Sequence, residues 1–173
     1  MSLFFTGLKH SGKTTLAKRI ASKIGRKWID SDDLMLNVLD GMSVREFYKT
    51  HGKEEFMVLE AEEVRKYLDD NCNVVMSLGG GAADNTPLME MLKENGKVVY
   101  LSRPEELLLK KVLEKSGIPP FLDKDDISGS WHTIFTRRDR LYRKYADAVI
   151  ELGEYKDKDE TVTKILEMLD LER

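Results

Sequence analysis

Short apolar runs alternate with longer amphipathic segments along this chain. The runs fall at residues 3–6, 27–29, 74–78, 98–101 and 148–152, and each predicts a β-strand. Leu3-Phe4-Phe5 and Val74-Val75-Met76 have no polar residue between the apolar ones, the pattern of strands covered on both faces. Helical spacing fills the intervals 14–24, 53–69, 86–95, 105–115, 130–145 and 159–169. Within 53–69, Phe56, Leu59, Val64, Tyr67 and Leu68 fall near one stripe, with Glu and Lys elsewhere. Ser43 followed by Glu46 predicts a capping box that opens a shorter helix. Strands alternating with helices predict an α/β fold, a mostly parallel sheet with helices on both faces.

The least regular stretch is 116–129, SGIPPFLDKDDISG, which has two prolines, two glycines and four charged residues. It predicts a long loop, of the kind that serves as a lid or binding segment. The charge run 154–160 predicts a solvated connection before the last helix. No internal repeat or long linker divides the chain, so residues 1–173 are expected to form one domain.

Composition narrows the partners. The chain has 173 residues, 41% apolar and 34% charged, with a net charge of -3, which argues against a broad nucleic-acid footprint. A small-molecule substrate is expected, with neither nucleic acid nor membrane as partner, and a monomer. Cys72 is the one cysteine, so no internal disulfide forms and a reducing compartment is expected. No run of 18 apolar residues and no leader pattern is present, which points to the cytoplasm.

The chemistry starts directly after the first strand, at GLKHSGKTT, residues 7–15. Gly7-x-x-x-x-Gly12-Lys13-Thr14 fits the phosphate-loop pattern in full, between a predicted strand and a predicted helix. Glycines let backbone N–H groups approach phosphate oxygens, and the helix N-terminus attracts the anion. Lys13 would reach the β and γ phosphates, and Thr14 would offer a hydroxyl to Mg²⁺. Gly7, Lys9, His10, Ser11, Gly12, Lys13, Thr14 and Thr15 are therefore the expected contacts of MgATP. A plain glycine turn would not require the lysine and threonine at these offsets.

Asp30-Ser31-Asp32-Asp33 ends the second strand, where ligands of such sheets bind. Carboxylates there suit Mg²⁺ or the proton of an attacking hydroxyl, and equally suit a helix N-cap; the two roles are compatible. Gly79-Gly80-Gly81, after the third run, suggests backbone pressed against a ligand, or a tight turn. His51 and His132 have no companions at zinc-ligand spacing, and His10 reads as a solvent-facing filler.

Taken in order, GLKHSGKTT, DSDD, residues 41–60 (GMSVREFYKTHGKEEFMVLE), SLGGGA and RRDRLYRKYAD resemble the shikimate kinase family over nearly the whole chain. The resemblance implies a three-layer α/β/α P-loop kinase fold with a five-stranded parallel sheet, flanking helices, a lid at about 116–129 and acceptor-binding helices at about 32–62. It implies transfer of the ATP γ-phosphoryl group to the 3-hydroxyl of shikimate. Asp30 would sit by Mg²⁺ with Thr14, and Asp32 would bind the acceptor hydroxyls and serve as base. Gly79, Gly80 and Gly81 would touch the acceptor by backbone, Phe47 and Phe56 would line its pocket, and Arg138 would grip its carboxylate. Lys13, Asp32 and Arg138 are the implied catalytic set.

Two positions depart from the family pattern. Met57 follows Phe56 where the family has an arginine on the acceptor carboxylate. The lid reads Pro119-Pro120-Phe121-Leu122 where the family carries an arginine for the transferring phosphoryl group. A charged hydrogen bond of the first kind is worth about 1.5–3 kcal/mol, and an arginine of the second kind about 10³-fold or more in rate. Lys110, Lys111, Lys124 and Arg137 are the cations considered as replacements. A kinase of another hydroxylated metabolite, gluconate-like, and an ATP-binding sensor without catalysis are the alternative readings.

Overall fold

The computed structural model describes residues 1–39, 41–119, 121–153 and 157–171. Five strands, β1 (Ser2–Thr6), β2 (Trp28–Asp30), β3 (Val75–Ser77), β4 (Gly96–Ser102) and β5 (Ala148–Glu151), form one parallel sheet in the order β2-β3-β1-β4-β5. The helices are α1 (Lys13–Lys23), α2 (Ser31–Val38), α3 (Val44–Asp70), α4 (Thr86–Asn95), α5 (Glu105–Ser116), α6 (Ile127–Tyr145) and α7 (Lys158–Met168), with a 3-10 turn at Ala82–Asp84.

Strand alternation divides the core into two layers. Leu3, Phe5, Val75, Val99 and Leu101 face α1 and α7, whose Leu16, Ile20, Val162 and Ile165 complete that layer. Phe4, Met76 and Val98 face the other side and pack on Val64 of α3 and on Leu88 and Leu92 of α4. Every strand at the centre is thus covered on both faces, which is why its sequence shows no polar alternation. Parallel pairing puts all strand C-terminal ends at one edge of the sheet, and the loops there carry residues 7–12, 30–32 and 78–81.

Several boundaries move from their sequence expectations for identifiable reasons. β4 begins at Gly96 because Gly96 and Lys97 pair with Ser2 and Leu3, although neither favours a strand. β2 runs one residue further, to Asp30, which pairs with Ser77. α3 joins the short helix opened by the Ser43 capping box to the longer one; Gly52, at φ 87°, is the kink between them. The irregular stretch is shorter than expected: α5 reaches Ser116, and α6 starts at Ile127 because the Asp126 carboxylate accepts the Gly129 N–H at 2.9 Å. Pro120 lies outside the described residues. So do residues 154–156 of the charge run, while Asp157 caps α7 and residues 158–160 belong to that helix rather than to a loop.

Candidate active site

The loop between β1 and α1 is built around two constraints. Gly7 takes φ 147°, and a Cβ there would stand 2.7 Å from the Ser11 hydroxyl and 2.8 Å from the Leu101 carbonyl. Gly12 takes φ 102° and caps α1, so the first N–H groups of the helix open toward a cavity of about 370 Å³. His10, Gly12, Lys13, Thr14 and Thr15 line it, with Lys111 and Lys115 of α5 and Lys158 of α7 opposite. Four lysines and a helix N-terminus around one cavity suit a polyanion. Lys13 is 7% exposed and donates to the Leu8 carbonyl at 3.0 Å. Burial lowers its pKa to about 8, against the opposing pull of Asp32 and Asp30. An anion beside it would remove that strain.

His10 departs from the solvent-facing expectation. It is half-buried at φ 66°, it lines the cavity, and its Nε2 is buried without a hydrogen-bond partner. Burial, then the charge of Lys9, lowers its pKa, so the ring stays neutral among the lysines.

Asp30 is the junction of three elements. Its Oδ1 accepts the Asp32 N–H at 3.1 Å and caps α2, while its Oδ2 accepts the Thr14 hydroxyl at 3.0 Å and the Ser77 hydroxyl at 2.7 Å. The cap and the placement beside Thr14 therefore coexist. The hydroxyl and carboxylate oxygens brought together here are hard donors that suit Mg²⁺. Asp32, on the first turn of α2, is exposed as a whole, yet the cleft desolvates its carboxyl end. That desolvation, then the charge of Asp30, pushes the carboxyl above the usual carboxylate range, with Lys13 acting the other way.

A second cavity, of about 320 Å³, begins where the first ends: Lys9 lines it and His10 lines the other. Asp32, Phe56, Met57, Gly79, Gly80, Gly81 and Arg138 all line this second space. Gly80 is required by close approach, since a Cβ would stand 2.9 Å from the Lys9 backbone nitrogen. The turn is pinned from both sides: the Gly79 N–H donates to the Ser31 hydroxyl at 3.1 Å, and Tyr142 of α6 donates to the Gly80 carbonyl at 3.1 Å. Arg138 Nη2 donates to Asp84 Oδ2 at 3.1 Å, and Arg137 Nη1 pairs with the other oxygen at 2.8 Å.

Two expected residues sit elsewhere. Phe47 stacks on His51 at 4.4 Å and packs against Met35, Leu39 and Phe56, so it supports the cavity wall rather than lining it; the neighbouring Tyr48 lines it instead. Lys9 lines the second cavity rather than the nucleotide side. Among the proposed replacement cations, Lys111 faces the nucleotide cavity, Arg137 is held by Asp84, and Lys110 pairs with Glu114 across the surface of α5.

Sequence reasoning missed Trp131, Tyr48 and above all Glu60 as lining residues. Glu60 is 4% exposed and accepts from Asn85 Nδ2 at 2.9 Å; burial raises its pKa to about 7. A signal existed: Glu60 stands four residues after Phe56 and four before Val64, inside the apolar stripe of α3. Asp84 carries no such signal, because it becomes significant only where the 3-10 turn meets α6.

A family model described as shikimate kinase matches residues 9–170. The shikimate kinase of Cupriavidus pinatubonensis is 34% identical over 153 residues, covering 88% of this chain and 78% of that protein. Among solved structures, the shikimate kinase of Acinetobacter baumannii in complex with shikimate aligns with a TM-score of 0.84 at 27% identity, covering 97% of this chain and 92% of that one. The shikimate kinase of Bacteroides thetaiotaomicron aligns with a TM-score of 0.83 at 26% identity over 99% of both chains.

Proposed function

The chain belongs to the shikimate kinase family, and we propose that it transfers the γ-phosphoryl group of ATP to the 3-hydroxyl of shikimate, giving shikimate 3-phosphate and ADP. The observation that carries this reading is the meeting of two cavities at Lys9 and His10, with Asp32 at the junction. One cavity is ringed by lysines and suits a triphosphate. The other pairs a carboxylate with exposed backbone and an arginine, which suits a hydroxylated acid.

In this reading the triphosphate lies along the amides of residues 7–15, and Lys13 contacts its β and γ phosphates. Thr14 and Asp30 would hold Mg²⁺, which when bound would draw charge from the phosphate oxygens. Asp32 orients the acceptor hydroxyl and takes its proton as that oxygen attacks phosphorus. The bond from phosphorus to the β–γ bridging oxygen breaks, and the electron pair leaves on ADP. A base with a raised pKa is suited to that proton transfer. Arg138 holds the acceptor carboxylate, and the glycines of residues 79–81 seat the ring. The segment between α5 and α6 acts as the lid; its Phe121 already lines the acceptor cavity. Catalysis rests on positioning and charge stabilisation, with no covalent intermediate.

The same reading makes the protein a cytoplasmic monomer acting on a small molecule. Among the described residues, no helix is long and apolar enough to cross a membrane. The test is a coupled assay of ADP release with shikimate, gluconate and nucleoside monophosphates as acceptors. Release that depends on shikimate is expected. Release that follows gluconate alone, or that proceeds without any acceptor, would overturn the assignment.

A further inference from the structure

Met57 lines the acceptor cavity from α3, and among the described residues no cation of α3 lines it. Yet the cluster around Asp84 holds more positive charge than it uses. The Asp84 side chain is 6% exposed, and one oxygen, Oδ2, meets Arg138 Nη2 at 3.1 Å and Lys53 Nζ at 3.7 Å. Arg137 pairs with Oδ1 at 2.8 Å and also donates to Oδ2 at 3.2 Å. Three cations thus share one carboxylate. Arg138 lines the cavity, and its Nε is buried with no hydrogen-bond partner. A buried donor left open in this way is a place for a ligand acceptor atom.

Lys53 is the first residue after the Gly52 kink in α3, four positions before Met57. That spacing puts both on one face of the helix, with Lys53 one turn nearer the N-terminus. Lys9, the other cation lining the cavity, lies at its nucleotide end, with its backbone against Gly80. Lys53 and Arg137 both join Arg138 on Asp84, and of the two Lys53 is on the helix that carries Met57.

We propose that Lys53 and Arg138, held together by Asp84, form the clamp for the acceptor carboxylate, so that Lys53 replaces from one helical turn away the cation missing at Met57. The proposal rests on the shikimate kinase reading and names a specificity residue for it. Asp84 is a positioning residue: it fixes both cations but leaves the cluster with net positive charge for the incoming anion. Glu60, the acidic side chain that lines the cavity on α3 beside Met57, is buried and engaged by Asn85.

Steady-state kinetics on the full chain, varying shikimate and ATP separately, test this. Lys53→Met is expected to raise KM for shikimate about tenfold or more, with KM for ATP unchanged, the loss expected for one charged hydrogen bond. Lys53→Arg is expected to stay near the parent. Adding Met57→Arg to Lys53→Met is expected to restore shikimate KM. Shikimate methyl ester keeps the test open if that double variant misfolds, because the Lys53→Met penalty disappears when the acceptor carries no charge. An unchanged shikimate KM in Lys53→Met, an equal rise in ATP KM, or an equal penalty with the ester overturns the clamp. If the parent turns over shikimate and Lys53→Met matches it, the clamp alone fails. If the parent does not use shikimate, the kinase reading fails and the clamp with it.

Discussion

The nucleotide side and the acceptor side of the cleft are built in different ways. The proposed nucleotide side is nearly contiguous: residues 7–15 form a loop and a helix start whose geometry suits an anion, and the lysines of α5 and α7 only add charge from opposite. The acceptor side draws on α2, α3, the turn after β3, the lid segment and α6, and no two neighbouring elements suffice to make it. A local site is fixed by backbone geometry and tolerates drift elsewhere. An assembled site depends on packing, and the proposed Lys53 clamp would place one of its charges one helical turn from Met57.

The sharpest way to break this comparison is to attack the local side. Lys13→Ala removes the single ammonium buried in the loop, and turnover is expected to fall about 10³-fold or more. The circular dichroism spectrum should stay native, since α1 is held through Leu16, Ala17 and Ile20 rather than through Lys13. Activity within tenfold of the parent would show that the loop does not bind the triphosphate.

The acceptor side is better probed through Glu60. Its carboxyl titrates near 7 in the folded chain and near 4.3 when unfolded. The folded state therefore holds this proton more tightly. The group's contribution to stability is complete below about pH 4 and drains away as pH rises toward 7, at about 1.4 kcal/mol per unit. Glu60→Gln carries no charge at any pH. Its melting temperature relative to the parent should rise between pH 4 and pH 8, by the equivalent of up to about 4 kcal/mol. A difference that does not vary with pH would mean that Glu60 is not buried as described.

The smallest effect concerns the scaffold alone. Ser43 and Glu46 form a reciprocal cap, with the Ser43 N–H donating to Glu46 at 2.8 Å and the Glu46 N–H donating to the Ser43 hydroxyl at 3.2 Å. Ser43→Ala should cost about 1 kcal/mol, visible as a shift of a few degrees in thermal melting, with shikimate KM raised only slightly. A large kinetic effect would place this helix start within the site rather than behind it.

Legibility followed the same division. The strands were readable because burial on both faces removes polar residues from them, and the phosphate loop was readable because its glycines, lysine and threonine are forced by one short stretch of backbone. The sequence places the start of α6 at residue 130 rather than Ile127 because its cap, Asp126 to Gly129, has the composition of a loop. Phe47 is expected in the cavity, but it packs into the cluster with Met35, Leu39 and Phe56, and the adjacent Tyr48 lines the cavity instead.

By itself, the sequence determined the layered α/β order, the anion cradle at residues 7–15 and the carboxylates ending the second strand, because each depends on residues close together in the chain. Only the tertiary structure decided that Asp30 ties Thr14 to Ser77, that Glu60 is buried against Asn85, and that Asp84 gathers Lys53, Arg137 and Arg138. Those contacts join residues up to 54 positions apart, and pairing over such separations is set by how helices pack on the sheet rather than by any local pattern.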